Sequence, residues 1–147
     1  MALDPRCKES FGRQGLMTLL GAELVEAEGG RAVIEVPYRN DLTQQHGYFH
    51  GGVVTAIADT ACGYAAYTTM PADASVLTVE FKINLMNPAA GERLRAEASV
   101  YKTGRTLVVV GATVTVVRGN KEVPCGEMLG TFIVLRETSD VEQRVHT

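Results

Sequence analysis

The fold is decided by the stretch His50-Gly51-Gly52-Val53-Val54-Thr55-Ala56-Ile57-Ala58-Asp59-Thr60-Ala61-Cys62-Gly63-Tyr64-Ala65-Ala66-Tyr67. From Val53 to Tyr67, apolar and small residues fall on every face of a helix. A helix that is apolar all round needs to be enclosed by protein on all sides. We therefore expect a central helix that the rest of the chain wraps.

Asp59 is the one acidic side chain in this predicted helix. Removing an unpaired carboxylate from water is costly, so its presence needs an explanation. Catalysis is one explanation, because poor solvation makes a carboxylate more basic. A structural ion pair with an arginine, or a cap on a partner helix, is the other. Taken by themselves, the residues leave both roles equally open.

The helix start offers a second candidate feature, the two glycines that follow His50. Glycines let the backbone approach a ligand closely, and the free N–H groups of a helix start favour an oxygen that carries negative charge. Tight packing is the other use of such a glycine pair. The predicted helix thus combines an end that can polarise a carbonyl with one buried acid.

Length, charge and cysteine content exclude several classes of protein. The chain has 147 residues and a net charge of -3, which fits a single domain spanning 1–147 and argues against nucleic acid as a partner. It has no long apolar run and its N-terminus lacks the apolar core of a signal peptide, so we expect a cytoplasmic protein without a membrane partner. The three cysteines and three histidines form no metal-ligand spacing, so we expect neither a disulfide framework nor a metal or other cofactor.

The remaining elements follow from periodicity and turn residues. A short helix is predicted over about 10–20, ended by Gly21, and the charged tail from about 137 is predicted to fray. Strict alternation of apolar and polar residues predicts a half-buried strand over 77–85, with its apolar row lying on the helix. Further strands, joined by short connections that favour antiparallel neighbours, are predicted at 22–27, 31–36, 94–100, 106–117 and 128–135.

Together these elements predict an α+β fold in which an antiparallel sheet of five or six strands curls around one buried helix. At this point the chain resembles the hotdog-fold thioesterases, and within them the phenylacetic-acid-degradation (PaaI-type) acyl-CoA thioesterases. The resemblance covers roughly 44–117. It is carried by His50-Gly51-Gly52, Asp59, Leu77-Thr78-Val79-Glu80-Phe81, Met86-Asn87-Pro88-Ala89 and Lys102-Thr103-Gly104-Arg105-Thr106.

The resemblance implies hydrolysis of an acyl-CoA thioester in a site shared between two subunits. The Gly51 N–H would polarise the thioester carbonyl, and Asp59 would act as nucleophile or as general base on water. His50 would orient the loop or the thioester, and Thr78 would help to position water. Gln44 falls where related enzymes carry an asparagine near the carbonyl.

The resemblance also implies residues that contact the substrate away from the reacting bond. Lys102 and Arg105 would contact the CoA phosphates, although turn charges of this kind are most often simply solvated. Tyr64, late in the helix, would line an acyl or aryl pocket, and core packing explains it equally well. The other substrate-binding positions are Gly52, Asn87, Pro88, Gly104 and Thr106.

The spacing of Gly51 and Asp59 supports a shared site independently of the family. A helix rises 1.5 Å per residue, so the two residues lie about 12 Å apart in one chain and cannot touch the same carbonyl. If they act together, two chains packing their helices antiparallel about a two-fold axis would bring Asp59 of one chain near Gly51 of the other. We therefore expect a homo-oligomer, either a dimer or a dimer of dimers.

Two other functions fit the same residues. One is a hydratase or dehydratase acting on hydroxyacyl thioesters, with His50 as base and Asp59 as acid. The other is a non-catalytic module that binds acyl-CoA. Addition of water to an enoyl thioester would favour the first, and saturable binding without turnover would favour the second.

Overall fold

The computed structural model describes residues 2–136, and the predicted frayed tail lies outside them. Three helices are formed there, namely α1 (Pro5–Gly12), α2 (Gly15–Leu20) and α3 (Gly51–Tyr67), and none is long and apolar enough to cross a membrane. A short 3-10 turn covers Asn40–Leu42. The strands are β1 (Glu23–Glu28), β2 (Arg31–Pro37), β3 (Ser75–Leu85), β4 (Arg93–Thr103), β5 (Leu107–Arg118) and β6 (Lys121–Leu135).

The six strands form one antiparallel sheet in the order β1-β2-β4-β5-β6-β3. The inner face of this sheet packs against α3, which contacts every strand. The expected antiparallel neighbours β1–β2, β4–β5 and β5–β6 are confirmed, but β3 and β4 do not pair. The loop from Met86 to Glu92 carries the chain across the sheet, so β3 pairs with β6 and β4 pairs with β2.

The central helix α3 is confirmed, but a single chain encloses it only on one side. Val54, Ile57, Ala61 and Ala65 are almost fully buried against the sheet. The opposite side keeps partial contact with solvent along a stripe at helical spacing that we call the open stripe. It consists of Gly52, Thr55, Ala56, Asp59, Thr60, Gly63 and Tyr67.

The N-terminal region differs from the single helix predicted over about 10–20. The first helix begins earlier, because the Asp4 carboxylate caps it by accepting the Arg6 N–H at 2.8 Å. The chain leaves helical geometry at Gln14, which is extended and sits between two glycines of low helix propensity. The predicted stop at Gly21 is confirmed, since this glycine adopts the left-handed conformation with φ 68°.

Strand β3 is present, but the prediction that its apolar row lies on the helix is wrong. Leu77, Val79, Phe81 and Leu85 remain 50, 53, 40 and 56 % exposed. The physical reason is that β3 is an edge strand, and a register shift between Thr78 and Glu80 breaks the strict alternation. The exposed side of this strand, with Leu77, Val79, Phe81 and Leu85, is called the β3 edge below.

Strand β6 starts at Lys121, seven residues before the predicted 128. A two-residue turn at Gly119-Asn120 joins it directly to β5. Pro124, which argues against a strand in the sequence, is accommodated where the β5–β6 register shifts between Val114 and Thr115. The final strand is therefore almost twice as long as predicted.

Candidate active site

The start of α3 leaves one backbone N–H free to bind a ligand. His50 is the N-cap residue, and its Nδ1 accepts the Gly52 N–H at 2.7 Å. The next two N–H groups, of Val53 and Val54, donate to the His50 carbonyl. Within residues 2–136 the Gly51 N–H has no acceptor, as expected for the first position of a helix.

The side chain of Gln44 is held by hydrogen bonds to the backbone of the loop before α3. Its Oε1 accepts the His46 N–H at 2.6 Å and the Tyr48 N–H at 3.3 Å. With its oxygen occupied, the amide of Gln44 offers its Nε2 hydrogens for donation. Gln44 and Gly51 line the same cavity of about 470 Å³, called the Gly51 cavity.

Asp59 lies two turns further along α3 and is only partly buried. The Thr78 hydroxyl donates to its Oδ1 at 2.8 Å. Burial raises the pKa of Asp59 above the ordinary carboxyl value, and the hydrogen bond from Thr78 offsets part of this rise. Asp59 forms no ion pair within the described part of the chain, so the structural pairing with an arginine does not occur there.

A second cavity of about 240 Å³, the Asp59 cavity, opens beside this carboxylate. Thr78 and the buried Tyr64 line it, as do Ser10 of α1 and Gln14, the residue before α2. Sequence analysis missed these last two residues, because they lie more than 40 positions from Asp59 and no local pattern marks them. The remaining lining residues are Thr60, Gly63, Val76, Leu77 and Phe132.

The predicted site residues fall into two groups along α3, one at its start and one around its middle. The first group consists of Gln44, Gly51, Asn87 and Pro88, which line the Gly51 cavity, and of His50 and Gly52, which flank Gly51 in the chain but do not line the cavity. The second group consists of Asp59, Tyr64 and Thr78, which line the Asp59 cavity, and of the turn 102–106, which does not line it but lies at the same end of the sheet as the start of β3. That turn is fixed there because the Thr106 carbonyl accepts the Val134 N–H, and Val134 pairs with Val76 of β3.

Some of the predicted substrate-binding residues have structural roles as well. Asn87 donates from Nδ2 to the Pro124 carbonyl at 2.7 Å and so ties the turn after β3 to β6. Gly104 is needed by its turn, since a Cβ there would lie 2.4 Å from the Leu107 carbonyl oxygen. Lys102 and Arg105 are exposed on the surface turn.

Cys62 is fully buried, and burial raises the pKa of its thiol to about 12. A thiol held protonated at neutral pH is a poor nucleophile. This agrees with the role in packing that the sequence suggests for a small cysteine in the helix. Residues 2–136 contain no group of three or more His, Cys, Asp or Glu side chains that could hold a metal ion.

The raised pKa of Asp59 predicts a pH-dependent difference in stability between the wild type and Asp59→Asn. Folding disfavours the charged carboxylate, so Asp59 lowers the free energy of unfolding as pH rises from the unfolded value of 3.8 through the folded value. Asparagine carries no charge and keeps an oxygen for the Thr78 hydroxyl. We expect the variant to have the higher Tm at neutral pH and to lose this advantage as pH falls through that window.

Thermal unfolding of both proteins at a series of pH values from about pH 4 to 8 measures this difference. The difference between the two Tm values cancels the titration of every other group. A difference in Tm that does not change with pH would contradict the raised pKa.

Comparison with known proteins shows which family this chain belongs to. The model of the thioesterase superfamily matches residues 46–123, which include Gly51, Asp59, Thr78 and the turn 102–106. A crystal structure of a thioesterase family protein from Silicibacter pomeroyi superposes with a TM-score of 0.88. It is 45% identical, and the match covers 89% of this chain and 96% of that one.

Two relatives extend the match. A provisionally named esterase of Saccharolobus solfataricus is 32% identical over 135 residues, covering 92% of this chain and 87% of that protein. The Escherichia coli acyl-coenzyme A thioesterase PaaI is 32% identical over 87 residues, covering 58% of this chain and 60% of that protein. This chain therefore belongs to the thioesterase superfamily, which confirms the hotdog-fold thioester hydrolase expected from its sequence.

Proposed function

We propose that this protein hydrolyses an acyl-CoA thioester to a free carboxylic acid and CoA, with Gly51 of one chain and Asp59 of another acting on the same substrate. One observation carries the proposal. Among residues 2–136, helix α3 presents a carboxylate without a counter-charge and, eight residues earlier, a backbone N–H without an acceptor. These are the two groups that thioester hydrolysis requires, a base or nucleophile and a donor to the developing oxyanion.

The Gly51 end of the helix suits the electrophilic half of the reaction. When water or a carboxylate attacks the thioester carbon, the carbonyl oxygen becomes an oxyanion that preorganised donors stabilise. The Gly51 N–H is one donor, and the amide nitrogen of Gln44, in the same cavity, is the second. The bond between His50 and Gly52 keeps the neighbouring N–H occupied, so the ligand meets a defined donor.

Asp59 suits the nucleophilic half of the reaction. As a general base, its carboxylate would take a proton from water while the water oxygen attacks the carbonyl carbon, after which the C–S bond breaks and CoA leaves as the thiolate. As a nucleophile, it would attack the carbonyl carbon itself, the C–S bond would break with loss of the CoA thiolate, and water would then hydrolyse the resulting mixed anhydride to the free acid and the Asp59 carboxylate. Thr78 holds the carboxylate in either case.

The β3 edge supports the expected dimer. It exposes apolar side chains and a strand backbone that no other strand of residues 2–136 pairs with, a combination that invites pairing with a second chain. Leu77 and Thr78 at its start border the Asp59 cavity, while Leu85 at its end borders the Gly51 cavity. Antiparallel pairing of two β3 edges about a two-fold axis would set the start of one strand against the end of the other, and so join the two cavities.

The open stripe of α3 supports the same arrangement. Most of its residues are small, so the helix of a second chain could approach closely. Asp59 lies in the middle of the stripe. Packing two such stripes antiparallel, as the spacing of Gly51 and Asp59 requires, would bury the side of the helix that a single chain leaves open.

The proposal that CoA is the thiol component of the substrate rests on the family and on the surface turn 102–106. Lys102 and Arg105 are exposed cations on the turn between β4 and β5, at the end of the sheet where β3 starts, and there they could contact phosphate groups. The E. coli relative is named an acyl-coenzyme A thioesterase. We therefore propose CoA esters as the substrates.

The geometry at His50 speaks against the hydratase alternative. Its Nδ1 already accepts the Gly52 N–H, so the neutral ring carries its proton on Nε2. A ring in this state has no free acceptor nitrogen to act as the base. Binding without turnover is disfavoured by the uncompensated Asp59 carboxylate, which a simple binding module does not need.

Free-thiol release from a panel of aryl- and fatty-acyl-CoA esters tests the proposal. We expect turnover of at least one ester. An enoyl-CoA ester that gains water while its thioester stays intact would favour the hydratase. Saturable binding of the esters without thiol release would favour the binding module, and both results would contradict thioester hydrolysis.

If the β3 edges form the dimer interface, a charged side chain placed there should weaken self-association. Phe81→Lys is expected to weaken self-association at least about tenfold, because a lysine would have to be desolvated in an apolar interface. Sedimentation velocity over a range of protein concentrations measures the dissociation constant. The matched control is Leu19→Lys, which adds the same charge at an exposed apolar position on α2.

Activity per chain of Phe81→Lys should fall at the concentrations where the variant dissociates. Equal self-association of wild type and Phe81→Lys would contradict an interface at the β3 edge. Full activity in a monomeric fraction would contradict a site shared between chains.

A further inference from the structure

Gln44 belongs to a small loop, residues 44–48, that closes on itself. The Gln44 N–H donates to the Tyr48 carbonyl at 2.9 Å, and the Gly47 N–H donates to the Gln44 carbonyl at 3.1 Å. Gln44 Oε1 accepts two further N–H groups from inside the loop, those of His46 and Tyr48. The orientation of the Gln44 amide is therefore fixed relative to this loop, which we call the Gln44 loop.

One side chain from outside anchors the Gln44 loop. The Tyr38 hydroxyl donates to the Gly47 carbonyl at 3.2 Å. Among residues 2–136 this is the only hydrogen bond between the Gln44 loop and the rest of the chain. Gly47 bonds to Tyr38 through its carbonyl and to Gln44 through its N–H, so it links the anchor to the residue that lines the Gly51 cavity.

Tyr38 is itself held by parts of the chain that do not belong to the Gln44 loop. It directly follows β2, and its N–H donates to the Glu92 carbonyl at 2.8 Å. Its ring packs edge-on against the ring of Phe49, with 5.5 Å between the centroids. Phe49 is buried, and its N–H donates to the Ala89 carbonyl. The Tyr38 hydroxyl is thus presented from the end of the sheet, whose position does not depend on the loop.

The position of the Gln44 loop matters for the proposed reaction, because two donors have to converge on one oxyanion. The Gly51 N–H is fixed by the start of α3, whereas the place of Gln44 Nε2 in the cavity depends on where the loop sits. Preorganised donors stabilise an oxyanion only if they point at the position it will occupy. A misplacement of about 1 Å in such a geometry can cost roughly 100-fold in rate.

We propose that Tyr38 is a positioning residue, which acts through Gly47 to aim the Gln44 amide at the thioester carbonyl. This rests on the proposed function, because it takes Gln44 as the second oxyanion donor. Tyr38 does not line the Gly51 cavity, so its effect on the reaction passes through the loop and not through contact with the substrate.

Tyr38→Phe tests this inference, because it removes the hydroxyl and keeps the ring that packs against Phe49. With the CoA ester that the wild type hydrolyses fastest, we expect kcat to fall about three- to tenfold and KM to change by less than about twofold. The reason for this difference is that a donor to the oxyanion acts mainly in the transition state, where the carbonyl oxygen carries the charge. The Tm should stay close to that of the wild type, since the lost hydrogen bond is exposed.

A double-mutant cycle with Gln44→Glu separates the aiming of Gln44 from a general role in the fold. Glutamate keeps an oxygen for the N–H groups of His46 and Tyr48, but it has no N–H to donate. The loop should therefore keep its shape while kcat falls by about 100-fold or more. In this background we expect Tyr38→Phe to lower kcat by less than about twofold, because no donor is left to aim.

The matched control is Tyr101→Phe, which removes the hydroxyl of an exposed tyrosine that lies outside both the Gly51 cavity and the Asp59 cavity. This variant should keep the kcat and KM of the wild type. The Tm of each variant shows whether it is folded.

The inference is overturned if Tyr38→Phe keeps the wild-type kcat. It is also overturned if Tyr38→Phe lowers kcat equally with and without Gln44→Glu, since its effect would then not pass through Gln44. Wild-type kcat in Gln44→Glu would overturn it as well, because Gln44 would then not be a donor. In each of these cases thioester hydrolysis itself stands. Absence of thiol release from every ester would instead reject the proposed function, and the inference with it.

Discussion

Asp59→Asn is expected to lower kcat for thiol release by at least about 100-fold, equivalent to ~2.7 kcal/mol of activation free energy. The substitution removes the charge that serves as base or nucleophile and changes little else. An asparagine oxygen can still accept the Thr78 hydroxyl that now donates to Asp59 at 2.8 Å. Loss of activity would therefore reflect lost chemistry, while the stability of the variant at neutral pH should rise.

The Asp59 carboxylate also predicts how the kcat of the wild type depends on pH. Burial raises the pKa of Asp59, and only the deprotonated form can act, so kcat should increase as pH rises through this raised value. The control variant is Asp73→Asn, which removes an exposed aspartate from the turn after α3. An Asp59→Asn protein that keeps more than a tenth of wild-type kcat would show that Asp59 is a structural acid.

Gly51→Pro is expected to lower kcat by about 100- to 1000-fold, the usual effect of removing one oxyanion donor. Gly51 occupies the first helical position, where proline is well tolerated, and proline has no N–H. The preceding His50 has φ -60° and ψ 137°, a conformation that suits a residue before proline. The helix should therefore remain while the donor disappears.

Gly51→Ala is the matched control for this substitution. Both variants add a Cβ that would lie 2.8 Å from Leu85 Cδ1, the end of a flexible side chain, but alanine keeps the N–H. We expect alanine to cost less than about tenfold in kcat. Equal losses in the two variants would mean that the added Cβ, and not the missing N–H, causes the defect.

Mixing the two inactive variants tests whether one site uses two chains. In a dimer that contains one Gly51→Pro chain and one Asp59→Asn chain, one of the two shared sites keeps both groups intact. Random mixing should restore up to about a quarter of wild-type activity. No recovery after proven subunit exchange would contradict a site shared between chains.

Local sequence signals predicted the elements whose residues carry their own pattern. The central helix follows from its continuous apolar and small residues, and its start from the histidine and two glycines. The hairpin between β1 and β2 follows from Gly29 and Gly30, which both adopt positive φ. Asp59 stands out because a carboxylate in such a helix needs an explanation. Family resemblance then supplied the pairing of Asp59 with Gly51.

The errors have a common physical cause. Alternation of apolar and polar residues indicates that one face of a strand is buried, but it does not show which element or which chain buries that face. The apolar row of β3 is real, yet most of it does not lie on the helix of its own chain. Position at the edge of the sheet decides this, and that position depends on the long-range pairing of β3 with β6. The late start predicted for β6 has a similar cause, because only the pairing with β5 shows that the strand includes Pro124 at a bulge.

The sequence by itself thus determined the α+β class, the central helix, the acid within it and the helix start with a free N–H, since each depends on residues close together in the chain. Only the tertiary structure decided that Thr78 holds Asp59, that Gln44 shares a cavity with Gly51, and that Ser10 and Gln14 meet Tyr64. These contacts join segments distant in sequence. Packing of the whole chain, rather than any local preference, fixes them.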